Sequence, residues 1–116
     1  MNDLLRETWE STEDLYQRHG LDADTTPPAK RRRFLNEEIL ELMEASTRNE
    51  DYPLDLNNLL EEAADVMVTL CGLLQAHGLE LDFFESACRR KLQNNNEKTA
   101  ANGYSVFNGK ISRQRR

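Results

Sequence analysis

The 116-residue sequence is short of several things, and each shortage excludes something. No stretch approaches the ~18 consecutive apolar residues of a membrane-spanning helix, and no signal-peptide pattern opens the chain, so a cytoplasmic protein with no membrane partner is expected. Only two cysteines occur, Cys71 and Cys88, without C-x-x-C spacing. They read as reduced, core-placed thiols, not as a disulfide framework or metal ligands. Hydrophobic residues make up 38% of the chain, low for a compact monomer, which predicts a core completed by a partner subunit. Positive charge is in the minority: 15 Lys and Arg against 21 Asp and Glu give a net charge of −6. That balance argues against a binder of nucleic acid or anionic membranes. No repeat of solenoid type is present, and the length suits one domain with a single core.

What is present is helical periodicity in four segments. The first runs from about Asp3 to Arg18, with Leu5, Trp9, Leu15 and Tyr16 on its apolar stripe, and His19-Gly20 stops it. Thr26-Pro27 opens the second as cap residue and first-position proline, and this helix runs to about Thr47. Arg48 to Pro53 is a polar connection. Asp55 caps the third helix, Leu54 and Leu59 are placed for a hydrophobic staple, and His77-Gly78 ends it. The fourth starts at Asp82, with Glu85 in a capping-box-like position, and runs to about Gln93, where an Asn triplet weakens helix propensity. Residues 1–98 are expected to form the helical domain and 99–116 a tail. Asn102-Gly103 and Asn108-Gly109 flank Tyr104-Ser105-Val106-Phe107 and signal a short ordered excursion there.

Two acidic motifs carry the chemistry: Glu37-Glu38-x-x-Glu41 in the second helix and Glu62-x-x-Asp65 in the third. Three residues on a helix return a side chain to nearly the same face, so each motif projects two carboxylates side by side. Single pairs of this kind are usually solvated surface charge. Here Phe34, Leu35, Ile39, Leu42 and Ala45 mark the apolar arc of the second helix, with Glu38 inside it and Glu41 at its edge. An inward carboxylate is expensive to bury without a partner. Asp65 runs straight into the apolar run Val66 to Leu74, read as a helix buried on most sides and expected to lie in a subunit interface. If the two helices pack antiparallel, four carboxylates converge, and a hard divalent ion, Mg²⁺ or Mn²⁺, relieves their repulsion. Glu38, Glu41, Glu62 and Asp65 are the expected ligands. Glu37 points off the Glu38 line and is the candidate general base, with a second ion or plain solvation as alternatives. Glu44 and Glu61 point away.

The double motif resembles that of the MazG-like all-α nucleoside triphosphate pyrophosphohydrolases, the group that includes phosphoribosyl-ATP pyrophosphohydrolase. It is met without a mismatch, and the likeness extends to Arg31–Arg33, to Gly78-Leu79-Glu80-Leu81-Asp82 and to Asn95-x-x-Lys98. The resemblance implies a four-helix bundle completed as a homodimer or dimer of dimers. It also implies hydrolysis of a nucleoside triphosphate to the monophosphate and pyrophosphate, as in nucleotide-pool housekeeping. A phosphoribosyl-ATP pyrophosphohydrolase of histidine biosynthesis is the alternative, and a non-catalytic acidic adaptor a second. By the same resemblance, Lys98 and Asn95 contact substrate phosphates. The run Lys30 to Arg33 reads as exposed charge, with Arg33 near the phosphates, and Lys91 is a weaker phosphate candidate. Trp9 offers a face that stacks on a nucleobase, although a lone Trp on an amphipathic stripe is more often core. His19 and His77, beside helix-stopping glycines, read as capping or surface residues.

Overall fold

The computed structural model describes residues 3–22, 24–51 and 55–113. Its elements are α1 (Leu4–Arg18), α2 (Pro28–Asp51), α3 (Leu56–Ala76) and α4 (Leu81–Asn96), then a 3₁₀ turn (Ala100–Asn102) and two short strands, β1 (Tyr104–Phe107) and β2 (Lys110–Arg113). The class is all-α. No described helix is long and apolar enough to cross a membrane. The chain divides into two compact units, residues 1–81 and 82–116, so α4 belongs with the strands and not with the three helices before it.

In the first unit α3 is the central element, packing against both α2 and α1. The Asp3 side chain caps α1 by accepting from Arg6 N at 3.1 Å, and Asp55 caps α3 by accepting from Asn58 N at 2.9 Å, the latter as its sequence position predicts. Both helices end in the same hydrogen-bonded reversal. Leu21 N reaches Tyr16 O and Gly20 N reaches Gln17 O; Leu79 N reaches Leu74 O and Gly78 N reaches Gln75 O. His19 and His77 are the C-cap residues of these ends.

Several boundaries differ from the sequence reading. The first helical residue of α2 is Pro28, one later than expected, because the Thr26 hydroxyl turns back to donate to Asp22 O at 2.7 Å. The same helix continues to Asp51, four residues beyond Thr47, since nothing in Arg48-Asn49-Glu50 breaks it. Asn49 then joins α2 to α3, donating to Ala45 O at 2.7 Å and accepting from Asp55 N at 3.2 Å. The staple expected at Leu54 lies outside the described residues. Asp82 sits inside the first turn of α4 and is not its cap, and that helix runs through the Asn triplet to Asn96.

The buried apolar set is lean: Trp9, Ala45, Cys71, Ala76 and Leu81. The run Val66 to Leu74 is only partly covered within one chain, with Cys71 and Gly72 buried but Met67 at 42% exposure. One small residue, Gly72, sits where α3 meets Tyr16 of α1. At Gly72 a Cβ would stand 2.9 Å from the Tyr16 ring, so only glycine admits that ring. Gln75 ties α3 to α1 by donating to Trp9 O at 2.9 Å.

The largest departure from expectation is Arg31. The basic run reads as exposed charge, and Lys30, Arg32 and Arg33 are exposed, but Arg31 is 4% exposed. Its Nε donates to Thr26 O and Oγ1, both at 3.0 Å, and its Nη1 donates to Gly72 O at 2.7 Å. The guanidinium also lies 4.1 Å from the centre of the Tyr16 ring. Burial lowers its pKa, opposed by Tyr16 and Asp22. Removing the fork strands the Thr26 carbonyl oxygen and takes a second donor from Gly72 O, so Arg31→Met is expected to lose about 2–4 kcal/mol in urea denaturation. Arg32→Met, one residue on and exposed, should stay within about 0.5 kcal/mol. Equal effects of the two would show that the buried fork is not a structural pin.

In the second unit Asn108-Gly109 makes a two-residue hairpin turn, with φ of 50° and 76°. Both central residues of such a turn need positive φ, which Asn and Gly tolerate best. The strands pair antiparallel, Tyr104 opposite Arg113 and Phe107 opposite Lys110. The ordered excursion expected in the tail is this hairpin.

Candidate metal centre

The site is built on the α2–α3 contact. Glu38 and Glu41 lie one turn apart on α2, and Glu62 comes from α3. Each offers a carboxylate oxygen, and these oxygens all lie within 4.8 Å of one another. Glu38 and Glu62 are half-buried, Glu41 exposed. The Oε2 atoms of Glu38 and Glu62 are shut off from solvent and have no hydrogen-bond partner among the described residues.

Electrostatics marks Glu62 as the most compromised member. Burial raises its pKa, the adjoining Glu41 carboxylate and the charge of Asp65 raise it further, and a hydrogen bond with Asn58 opposes them. Asp65, one turn beyond Glu62, is exposed and outside the tight trio, although its charge is felt there. Asn58 was not anticipated. Its place four residues before Glu62 on the same helix puts both on one face, and its Oδ1 also accepts from Arg48 Nη2 at 3.4 Å.

Acceptor-only oxygens clustered without donors suit a hard cation. Two shielded oxygens without a partner among the described residues fit metal ligands, because leaving such atoms unpaired is costly. The residues present fit a divalent metal. They do not distinguish Mg²⁺ from Mn²⁺.

The other candidates fall in different places. Glu37 is exposed on α2, next to the trio in sequence. Arg33 is exposed one turn before Glu37. Trp9 is 5% exposed, the core position of its two readings, with its indole face withheld from solvent in one chain. Asn95 and Lys98 are exposed, in the second unit. Glu44 and Glu61 are exposed, outside the trio.

Residues 1–94 match the model of the phosphoribosyl-ATP pyrophosphohydrolase family, a span that includes α1 to α3 with all the acidic residues of the site. Neither a curated protein nor a solved structure matches the chain. Asn95, Lys98 and the hairpin lie beyond the matched span.

The raised pKa of Glu62 fixes the sign of a pH effect on the metal-free protein. A folded-state pKa above the ordinary 4.5 means that the native state holds this proton more tightly than the unfolded chain does. The contribution is therefore destabilising above the raised value, and it fades as the pH falls toward 4.5. In chelator, wild type should lose more stability than Glu62→Gln between mildly acidic and neutral pH, measured by urea denaturation. Parallel pH profiles would remove the carboxylate repulsion from the account.

Proposed function

The chain belongs to the phosphoribosyl-ATP pyrophosphohydrolase family, and from that membership and its acidic trio we propose that it is a Mg²⁺-dependent hydrolase of nucleoside triphosphates that releases pyrophosphate. The observation that carries the reading is the α2–α3 cluster, in which two shielded carboxylate oxygens have no partner among the described residues. Glu38, Glu41 and Glu62, joined by Asp65, hold the ion. When bound, it neutralises charge on phosphate oxygens and lowers the pKa of a coordinated water.

The remaining chemistry belongs to side chains. Water attacks one phosphorus of the α–β anhydride; a new P–O bond forms, the bridging P–O bond breaks, and the electron pair leaves with pyrophosphate. Glu37, exposed and next to Glu38, accepts the proton of that water. Arg33, one turn before Glu37 on α2, meets the phosphate charge. Manganese, also a hard oxygen-seeking ion, substitutes.

A second reading has one specific observation behind it, the name of the matched family. Phosphoribosyl-ATP carries the same anhydride, so the trio serves either substrate equally. A panel of canonical, deoxy and damaged triphosphates with phosphoribosyl-ATP, assayed for pyrophosphate release, separates the two. Activity confined to phosphoribosyl-ATP would place the protein in a biosynthetic step and not in pool maintenance.

The site generates a clear expectation for its variants. Glu38→Ala should abolish pyrophosphate release while helicity measured by circular dichroism is retained. Glu37→Gln should still bind metal and substrate but turn over about 10²–10⁴-fold more slowly, with KM little changed. Full activity in Glu38→Ala would sink the metal assignment. Loss of metal binding in Glu37→Gln would make Glu37 a ligand instead of a base.

We also infer self-association. Leu40, Met43 and Leu60 of α2 and α3 are 59%, 61% and 67% exposed, a large apolar area for one copy to leave in water. A second copy covers it, giving a homodimer or dimer of dimers. Sedimentation at micromolar concentration should show no monomer, and an active monomer would show that these faces need no cover. Such an enzyme works on cytoplasmic nucleotides, where the free thiols of Cys71 and Cys88 stay reduced.

A further inference from the structure

Glu62 stands at the end of a short chain of polar contacts that begins on the other helix. Arg48 follows Glu41 by seven residues, about two turns, and so lies on the same face of α2. Its Nη2 reaches Asn58 Oδ1 on α3 in a long contact of 3.4 Å. Asn58 in turn lies four residues before Glu62 and is hydrogen-bonded to its carboxylate. Asn58 and Glu62 are half-buried, whereas Arg48 is exposed.

Chemistry fixes the polarity of this chain. A guanidinium only donates and a carboxylate only accepts, so an amide between them has one working orientation: Oδ1 toward Arg48 and Nδ2 toward Glu62. Glu62 Oε2 has no partner among the described residues, so the oxygen that Asn58 engages is Oε1. One carboxylate oxygen is tethered and the other is left open.

The backbone beneath Asn58 is anchored as well. Its N–H donates to the Asp55 carboxylate at 2.9 Å. Asp55 N donates to Asn49 Oδ1 at 3.2 Å, and Asn49 Nδ2 donates to Ala45 O at 2.7 Å. Main chain and side chain of Asn58 are therefore both referred to α2. The interposed amide also has an electrostatic consequence. Arg48 bound directly to Glu62 would neutralise that carboxylate and compete with a metal ion for it. Among the described residues no ion pair joins the two. A neutral amide passes on a fixed position without the charge.

We propose that Asn58 is a positioning residue for the metal centre: held by Arg48 across the α2–α3 contact, it orients the Glu62 carboxylate toward the ion. Glu62 needs such a hold, because repulsion from the Glu41 carboxylate turns an untethered side chain outward. The role rests on the metal reading proposed above and adds to it the residue that aims one ligand.

Binding of Mn²⁺ to the full chain without nucleotide, followed by the electron paramagnetic resonance signal of the free ion, tests it. Asn58→Leu should weaken Mn²⁺ binding about tenfold, the usual effect of losing an outer partner of a ligand, with helicity retained. Asn57→Leu, at the exposed neighbouring position, should change it by less than about twofold. Arg48→Met should weaken binding severalfold and add nothing once residue 58 is changed, because the two side chains act in series. Arg48 is exposed, so its variant reports even if Asn58→Leu does not fold. Unchanged or tighter binding in Arg48→Met, the latter being the effect of merely removing a cation, overturns the proposal. An Asn58 that serves stability alone would lower the urea midpoint equally with and without Mn²⁺ and leave the affinity of the folded chain unchanged, which overturns it too. Wild type that binds no Mn²⁺ strikes the metal reading and this role together. Wild type and Asn58→Leu that bind equally strike the positioning role alone.

Discussion

One buried guanidinium holds the first unit in register. Arg31 donates to carbonyl oxygens of the α1–α2 connection and of α3, and stacks against Tyr16 of α1. It thereby joins three elements that share only a lean apolar core of Trp9, Ala45, Cys71, Ala76 and Leu81. A charge so placed is tolerable because its fork meets fixed carbonyl dipoles with good geometry, and arginine stays protonated where lysine would not. Glycine at position 72 is part of the same construction, since it admits the Tyr16 ring and its carbonyl receives Nη1. Two turns further along α2 stands Glu38. The register that seats Arg31 against α3 is the register that brings Glu38 and Glu41 to Glu62.

The acidic trio is the complementary case, a cluster that the isolated chain does not satisfy. Arg31 is buried and bonded, whereas Glu38 and Glu62 each hide an oxygen from solvent without a bond among the described residues. Hydrophobic packing of α2 on α3 supplies the free energy that holds the carboxylates together against their repulsion. A fold with a small apolar core has little to spare for that purpose, so a cation bound there would contribute to its stability as well as to the proposed chemistry.

Sequence periodicity made much of this legible. Glu38 stood out because it interrupts the arc of Phe34, Leu35, Leu42 and Ala45, and Glu62 because three residues separate it from Asp65 at the edge of an apolar run. The Asp55 cap and the Asn108-Gly109 turn were legible because each depends on neighbouring residues alone. Arg31 was missed although the same periodicity contains it: seven residues before Glu38, it lies about 20° from that inward line. A run of four basic residues concealed the one that differs. Asn58 escaped because its role depends on the carboxylate four residues later and not on its own type. The cut between residues 81 and 82 escaped because helix signals do not report which helices share a unit.

Charge segregation follows from the chemistry proposed for the chain. Carboxylates that hold a divalent ion offset part of its charge, so the proposed chemistry calls for further cations. Lysines inserted among the α2 and α3 acids would neutralise the ligands and compete with the metal. Residues 82–116 are free of that conflict and hold eight of the chain's 15 basic residues. A family match that ends at residue 94 covers every acidic ligand and only part of that basic set. The acidic residues proposed to hold the metal thus lie wholly inside the shared span.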